Sequence, residues 1–160
     1  MARIDEEIRI KLSVLDRLVD FEPQVTTEPP ASRSKALRQV KQALKRDLEW
    51  LLNTRRVLEV PPELLLLADS MLAYGLPDFS TLSVKSAGDQ HDLTLALETT
   101  LRRFEPRLED IVVSVANASV LERAFRFKIE ARLRIDPVPE PISFDTTLQL
   151  GSGNFAVKGD

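Results

Sequence analysis

The chain has 160 residues, 43% hydrophobic and 29% charged, an ordinary globular balance that excludes the disordered and fibrous classes. A formal net charge of -3 speaks against bulk nucleic-acid binding, and the lack of cysteine excludes disulfides and thiolate metal sites. The longest apolar run, "ELLLLA", is far too short to cross a bilayer, and "MARIDEEIRI" is charged where a signal peptide needs an apolar stretch, which points to a soluble cytoplasmic protein.

Residues 1–32 read as an N-terminal arm, 33–150 as a single domain and 151–160 as a tail. In the arm, "SVLDRL" offers Val14, Leu15 and Leu18 as a short apolar set, and Leu15, Arg17 and Leu18 are candidate contacts with a neighbouring subunit. "FEPQVTTEPPAS" follows with three of the ten prolines and is incompatible with regular structure. The arm is therefore either disordered, as termini often are, or docked on a partner. The first helix spans 33–53, where Leu37, Val40, Leu44, Leu48 and Leu51 recur at helical spacing. Arg38, Lys41 and Lys45 flank that stripe as a solvated edge. Trp50 falls on the opposite side, where a large aromatic is a candidate interface anchor.

"VPPELLLLADSMLAYGLPDF" (60–79) predicts a second helix, opened by Pro62 and Glu63, capped by Gly75 and kept from resuming by Pro77. Residues 64–68 are apolar all round, which predicts burial on more than one side. A third helix over 88–104 carries Leu93, Leu97, Leu101 and Phe104 on one face, and Pro106 stops it. Then the apolar period shortens to two. "LEDIVVSVA" (108–116) predicts a central strand, "ANAS" a hairpin turn, and "LERAFRFKIEARLRI" (121–135) a long alternating strand. Leu121, Phe125, Phe127, Ile129, Leu133 and Ile135 point one way; Glu122, Arg126, Lys128, Arg132 and Arg134 point the other. "DPVPEP" makes a stiffer turn, "ISFDTTLQL" (142–150) a third strand, and the tail one further extended possibility.

Three helices followed by three or four strands predict an α+β fold, with N-terminal helices packed on one face of a small antiparallel sheet with a long hairpin. Fifteen alternating residues would span about 50 Å, which predicts a bulged or projecting hairpin whose open backbone another chain can extend.

Chemistry is sparse. Glu98, Glu105, Glu109 and Asp110 could supply the carboxylate pair of a lysozyme-like, peptidoglycan-cleaving glycosidase. Arg102, Arg103 and Arg107 crowd them, however, and cations keep carboxylates ionised when a general acid must hold a proton. His91 is the single histidine, so triads and multi-histidine metal sites are excluded or crippled. No glycine-rich phosphate frame exists, and "GSGNF" is no cofactor signal because no helix follows. Neither a cofactor nor a small-molecule substrate is implied. The basic face of Arg126, Lys128, Arg132 and Arg134 lacks interleaved aromatics, so an acidic protein partner suits it better than nucleic acid. "RRFEPRLED" holds the remaining constellation. Glu105-Pro106-Arg107 is sufficient as a helix stop, but proline also stiffens the backbone between opposite charges. If the segment is extended the two side chains diverge, each needs its own partner, and the triplet becomes a docking latch.

"RRFEPRLEDIVVSV" resembles the Glu-Pro-Arg signature of baseplate wedge proteins from contractile phage tails and type VI secretion systems. "SVLDRLVDFEP", "RDLEWLLNTRR" and "SMLAYGLPDFSTLS" resemble successive stretches of TssE-type subunits, covering about residues 12–150 in order, with Leu12 in place of an expected proline. The resemblance implies a non-catalytic structural subunit, bacterial and cytoplasmic, in a membrane-docked assembly without membrane insertion. Its implied partners are TssF-, TssG- and TssK-like wedge subunits and TssB/TssC-like sheath subunits. Glu105, Pro106 and Arg107 would be the wedge contact, and the hairpin at 121–150 the sheath-facing strands.

Overall fold

A computed structural model describes residues 13–18, 33–57, 61, 63–79, 83, 86–119 and 124–159. In chain order these form α1 (Val14–Leu18), α2 (Arg33–Asn53), α3 (Leu65–Ala68), a 3-10 turn (Met71–Ala73), α4 (Ala87–Phe104) and strands β1 (Leu108–Ser119), β2 (Ala124–Leu133), β3 (Glu140–Gln149) and β4 (Asn154–Gly159). The strands make one antiparallel sheet in the order β1-β2-β3-β4, with α4 against β1 and α2 against β4. This is the α+β layering the sequence implies.

The core follows from the two periodicities. From α2, Val40, Leu44, Leu48, Leu51 and Leu52 are buried; from α4, Leu93, Leu97 and Leu101. They meet Phe125, Phe127, Ile129 and Leu133 of β2, Ile142, Phe144 and Leu148 of β3, and Phe155 and Val157 of β4. Alternate residues of β2, including Arg126, Glu130 and Arg132, stay exposed, as a two-residue period requires. α4 begins at Ser86, whose hydroxyl accepts from Asp89 N–H at 3.2 Å, while the Asp89 carboxylate accepts from Ser83 N–H at 2.8 Å. The bond from Ser83, seconded by Ser86, holds the Asp89 carboxyl below its usual range. At the far end, Glu105 N–H closes the last turn on Leu101 O at 2.9 Å.

Several expectations fail. The helix expected over 60–79 shrinks to Leu65–Ala68 plus the 3-10 turn. Ser70 is the cause: its hydroxyl donates to Leu67 O at 2.7 Å and accepts from Leu72 N–H at 3.3 Å, competing with helical bonding. Leu64 and Leu66 are exposed rather than enclosed. Gly75 ends no α-helix. It is required because its φ is +101° and a Cβ would sit 2.4 Å from Thr54 O, where the Arg55–Leu76 bridge joins two segments.

β1 is an edge strand, not a central one. "ANAS" is no turn, for Asn117, Ala118 and Ser119 pair with Arg126, Phe125 and Ala124; Leu121 and Glu122 lie outside the described residues. The tail supplies β4, drawn in because Phe155 and Val157 complete the core. β2 pairs on both sides along its described length, whereas β3 pairs with β4 only over Phe144–Gln149, so Glu140 to Ser143 at the hairpin's turn end have no partner strand on their outer side. The outer strands are β1 and β4.

Candidate interaction site

Where α4 turns into β1, Glu105 is only 5% exposed, and the chain turns at Pro106 and Arg107 rather than running extended. The turn brings Arg107 back onto Glu105: Nε donates to Oε1 and Nη2 to Oε2, both at 2.7 Å. The expectation of divergent side chains is therefore wrong: residues two apart share a face even in an extended chain, and the turn at Pro106 brings these two within hydrogen-bond reach. Arg134 N–H donates to Arg107 O at 2.8 Å, tying the turn to the end of β2.

The pair continues into α2. Arg107 Nη2 also donates to Asp47 Oδ2 at 2.7 Å, and Asp47 Oδ1 accepts from Arg46 Nε and Nη2 at 3.0 and 2.9 Å. Arg46 Nη2 reaches Asp16 of α1 at 2.8 Å, and Ser13 Oγ caps the same carboxylate at 2.6 Å. Five alternating charges thus link α1, α2 and the α4–β1 turn. The bidentate bond from Glu105 outweighs burial and, with Asp47, raises the Arg107 pKa far above its ordinary value. Burial would raise the Asp16 carboxyl, but Ser13 and Arg46 together hold it below the usual carboxylate range. Arg107 Nη1 makes no hydrogen bond to any described residue.

Around this network lies exposed apolar surface. Trp50 is 56% exposed, with the Arg46 guanidinium 5.2 Å from its ring centre. On α1, Val14 and Leu18 face solvent and Leu15 is partly exposed, while the side chain of Arg17 lies outside the described residues. In the separate segment 64–73, Leu66, Met71 and Leu72 are exposed apolar groups that a buried-helix reading missed. The network also drew in Asp16, Arg46 and Asp47, which the sequence reading did not single out although they stand in the family-like stretches "SVLDRLVDFEP" and "RDLEWLLNTRR". Pro106 is exposed at the corner.

The basic residues of β2, and Arg134 just beyond its end, sit elsewhere, on the solvent side of the sheet. Lys128 pairs with Glu130 at 2.7 Å, Arg132 with Asp110 at 3.5 Å and Arg134 with Glu109 at 3.6 Å. Arg126 is exposed on the same face, and Phe125 and Phe127 point into the core, so no aromatic platform accompanies the charges.

Among the described residues no cluster of three or more His, Cys, Asp or Glu could hold a metal ion, and no helix is long and apolar enough to cross a membrane. A cleft of about 330 Å³ beside α4 is lined by Arg56, Asp92, Leu95 and Arg103 but not by Glu105. Both oxygens of Glu105 are engaged by Arg107, which leaves it no reach toward a glycosidic oxygen.

Fold and site together define a compact sheet-and-helix domain whose densest polar constellation is a closed ionic network bordered by exposed apolar groups. The chain belongs to the baseplate wedge protein gp25 family, whose sequence model matches residues 38–138, from early α2 through the end of β2 and into the turn beyond. That family is one of structural baseplate proteins, as the sequence resemblance implies. No curated protein and no solved structure matches the chain.

Proposed function

We propose that this protein is a TssE-type baseplate subunit of a bacterial type VI secretion machine, cytoplasmic within a membrane-docked assembly. It docks to TssF-, TssG- and TssK-like wedge subunits, starts the TssB/TssC-like sheath by strand addition, and catalyses nothing. Family membership over residues 38–138 carries the reading, and that span holds four of the five charges of the network, Glu105, Arg107, Asp47 and Arg46.

The wedge contact differs from a pair of free ionic handles. Glu105 sets Arg107 in place, and the wedge partner meets a corner made by Pro106, the remaining Arg107 Nη1 edge, the Arg46-backed face of Trp50, and the apolar side of α1 at Leu15 and Leu18. Arg126, Lys128, Arg132 and Arg134 offer an electrostatic face to an acidic partner on the other side of the sheet.

Trp50 gives the cleanest test because it is exposed and outside the core. Trp50→Ala should leave the melting temperature unchanged while weakening co-purification of the wedge subunits from lysate by about tenfold or more. Undiminished recovery of the wedge with the Trp50→Ala chain would remove this surface from the contact.

A further inference from the structure

α4 has a second patterned face. Leu93, Leu97 and Leu101 point into the core, but Asp92, Leu95, Ala96, Thr99 and Arg103 also recur at helical spacing, and all five line the cleft of about 330 Å³. Arg56, Ala73 and Pro77 form the side of the cleft across from them. Tyr74 sets that side against α4, its ring edge-on to Phe104 with centres 5.2 Å apart. The result is a trough along the helix, about 16 Å from Asp92 to Arg103, with a floor of small and apolar side chains. Leu95 stands in it 53% exposed.

The charges of the trough are short of partners. Arg56 donates its backbone N–H to Leu76 O at 2.8 Å, but its guanidinium bonds no described residue, and neither does the Asp92 carboxylate. Arg103 Nε meets Asp69 at 3.1 Å, yet that carboxylate is 74% exposed and holds it weakly. An occupant that satisfies this surface brings a carboxylate to Arg103 and Arg56 and a cation to Asp92, with apolar groups between. A helix meets the demand better than an extended chain. Side chains at helical spacing pack into rows of the same spacing, and a helix bonds its own backbone, whereas an extended chain would leave the groups facing this floor unpaired. Direction follows from charge. Acidic residues are favoured near a helix N-terminus, so the end that meets Arg103, at the C-terminal end of α4, is the occupant's first turn.

We propose that the α4 cleft is a second docking surface, separate from the Trp50 corner, and that it takes an amphipathic helix of a wedge subunit running antiparallel to α4. The helix places an acidic first turn against Arg103 and Arg56, an apolar stripe over Leu95 and Ala96, and a basic residue toward Asp92. That the helix belongs to a wedge subunit rests on the baseplate reading above; its chemistry and direction rest on the cleft alone.

The test immobilises the full chain and titrates purified wedge subunits of the same machine, with thermal melts as a folding control. Leu95→Arg, which obstructs the trough from an exposed position, and Arg56→Glu, which reverses its charge, should each weaken capture about tenfold or more. His91→Ala, exposed on the same helix but outside the cleft, should leave capture unchanged. If Arg56→Glu fails to fold, Arg56→Gln, which loses the charge alone, should still weaken capture about threefold. A photo-crosslinking amino acid in place of Thr99 should attach to a wedge helix with Asp or Glu in its first turn. Wild-type capture that Leu95→Arg and Arg56→Gln both leave unchanged overturns the cleft and leaves the baseplate reading intact. Crosslinks to a strand or loop overturn the helical occupant; crosslinks to residues 1–32 of this chain or to a second copy overturn the partner. Absence of capture by wild type overturns the baseplate reading itself.

Discussion

The corner at Glu105–Arg107 and the solvent face of β2 are built from the same residue types, yet they are different physical objects. At the corner, carboxylate and guanidinium meet at 2.7 Å with Glu105 only 5% exposed, and Asp47 and Arg46 extend the bonding. On the sheet face, Arg132 and Arg134 stand 3.5 and 3.6 Å from Asp110 and Glu109, with arginine side chains 49% and 66% exposed. Water screens the second set and is largely kept from the first, so the first fixes geometry and the second contributes mainly field. Charge count along a sequence does not separate them; burial does.

The largest effect should come from breaking the corner. Arg107→Ala leaves Glu105 buried without its bidentate partner, at a cost of about 3–5 kcal/mol in urea unfolding. A loss under about 1 kcal/mol would mean that water reaches Glu105 and that the corner resembles the sheet face after all.

A smaller effect separates the network's outer end. The Asp16 carboxyl is lowered in the folded chain, so its hold on Arg46 is complete above the unfolded value of about 3.9 and fades as pH falls through the lower folded value. Trp50 is the single tryptophan and lies under Arg46, so its emission reports the change. A wild-type transition on the acid side of about pH 3.9 that Asp16→Asn lacks is the expected result. Identical titrations of the two chains would show that α1 is not held by this bond.

The smallest effect belongs to the sheet face. Arg132→Ala and Arg134→Ala should each change stability by no more than about 0.5 kcal/mol. If they matter to assembly, the effect should appear as slower association that added salt mimics. A larger stability loss would place them with the corner.

Local pattern carried much of this fold. The stripe from Leu37 to Leu51 and the alternation from Phe125 to Leu133 each dictate their element because one face must be buried. The segment 60–79 was misread because leucine runs favour helix while Ser70 offers the backbone a competing set of bonds. "ANAS" looked like a turn because small polar residues punctuate, yet cross-strand pairing with Arg126, Phe125 and Ala124 overrode that preference. Family kinship was also legible, from motifs such as "RRFEPRLED" that keep their order along the chain.

What the chain determined by itself is therefore its elements, their buried faces and its kinship, all set by neighbours within a few residues. Only the tertiary structure decided that Arg107 turns onto Glu105 and reaches Asp47 across 60 positions, or that Asn53 meets Phe155 across 102. Those contacts depend on how α2 lies against the sheet and the α4–β1 turn. Hydrophobic packing of distant stripes sets that placement, and no local period encodes which polar groups it brings within hydrogen-bond reach.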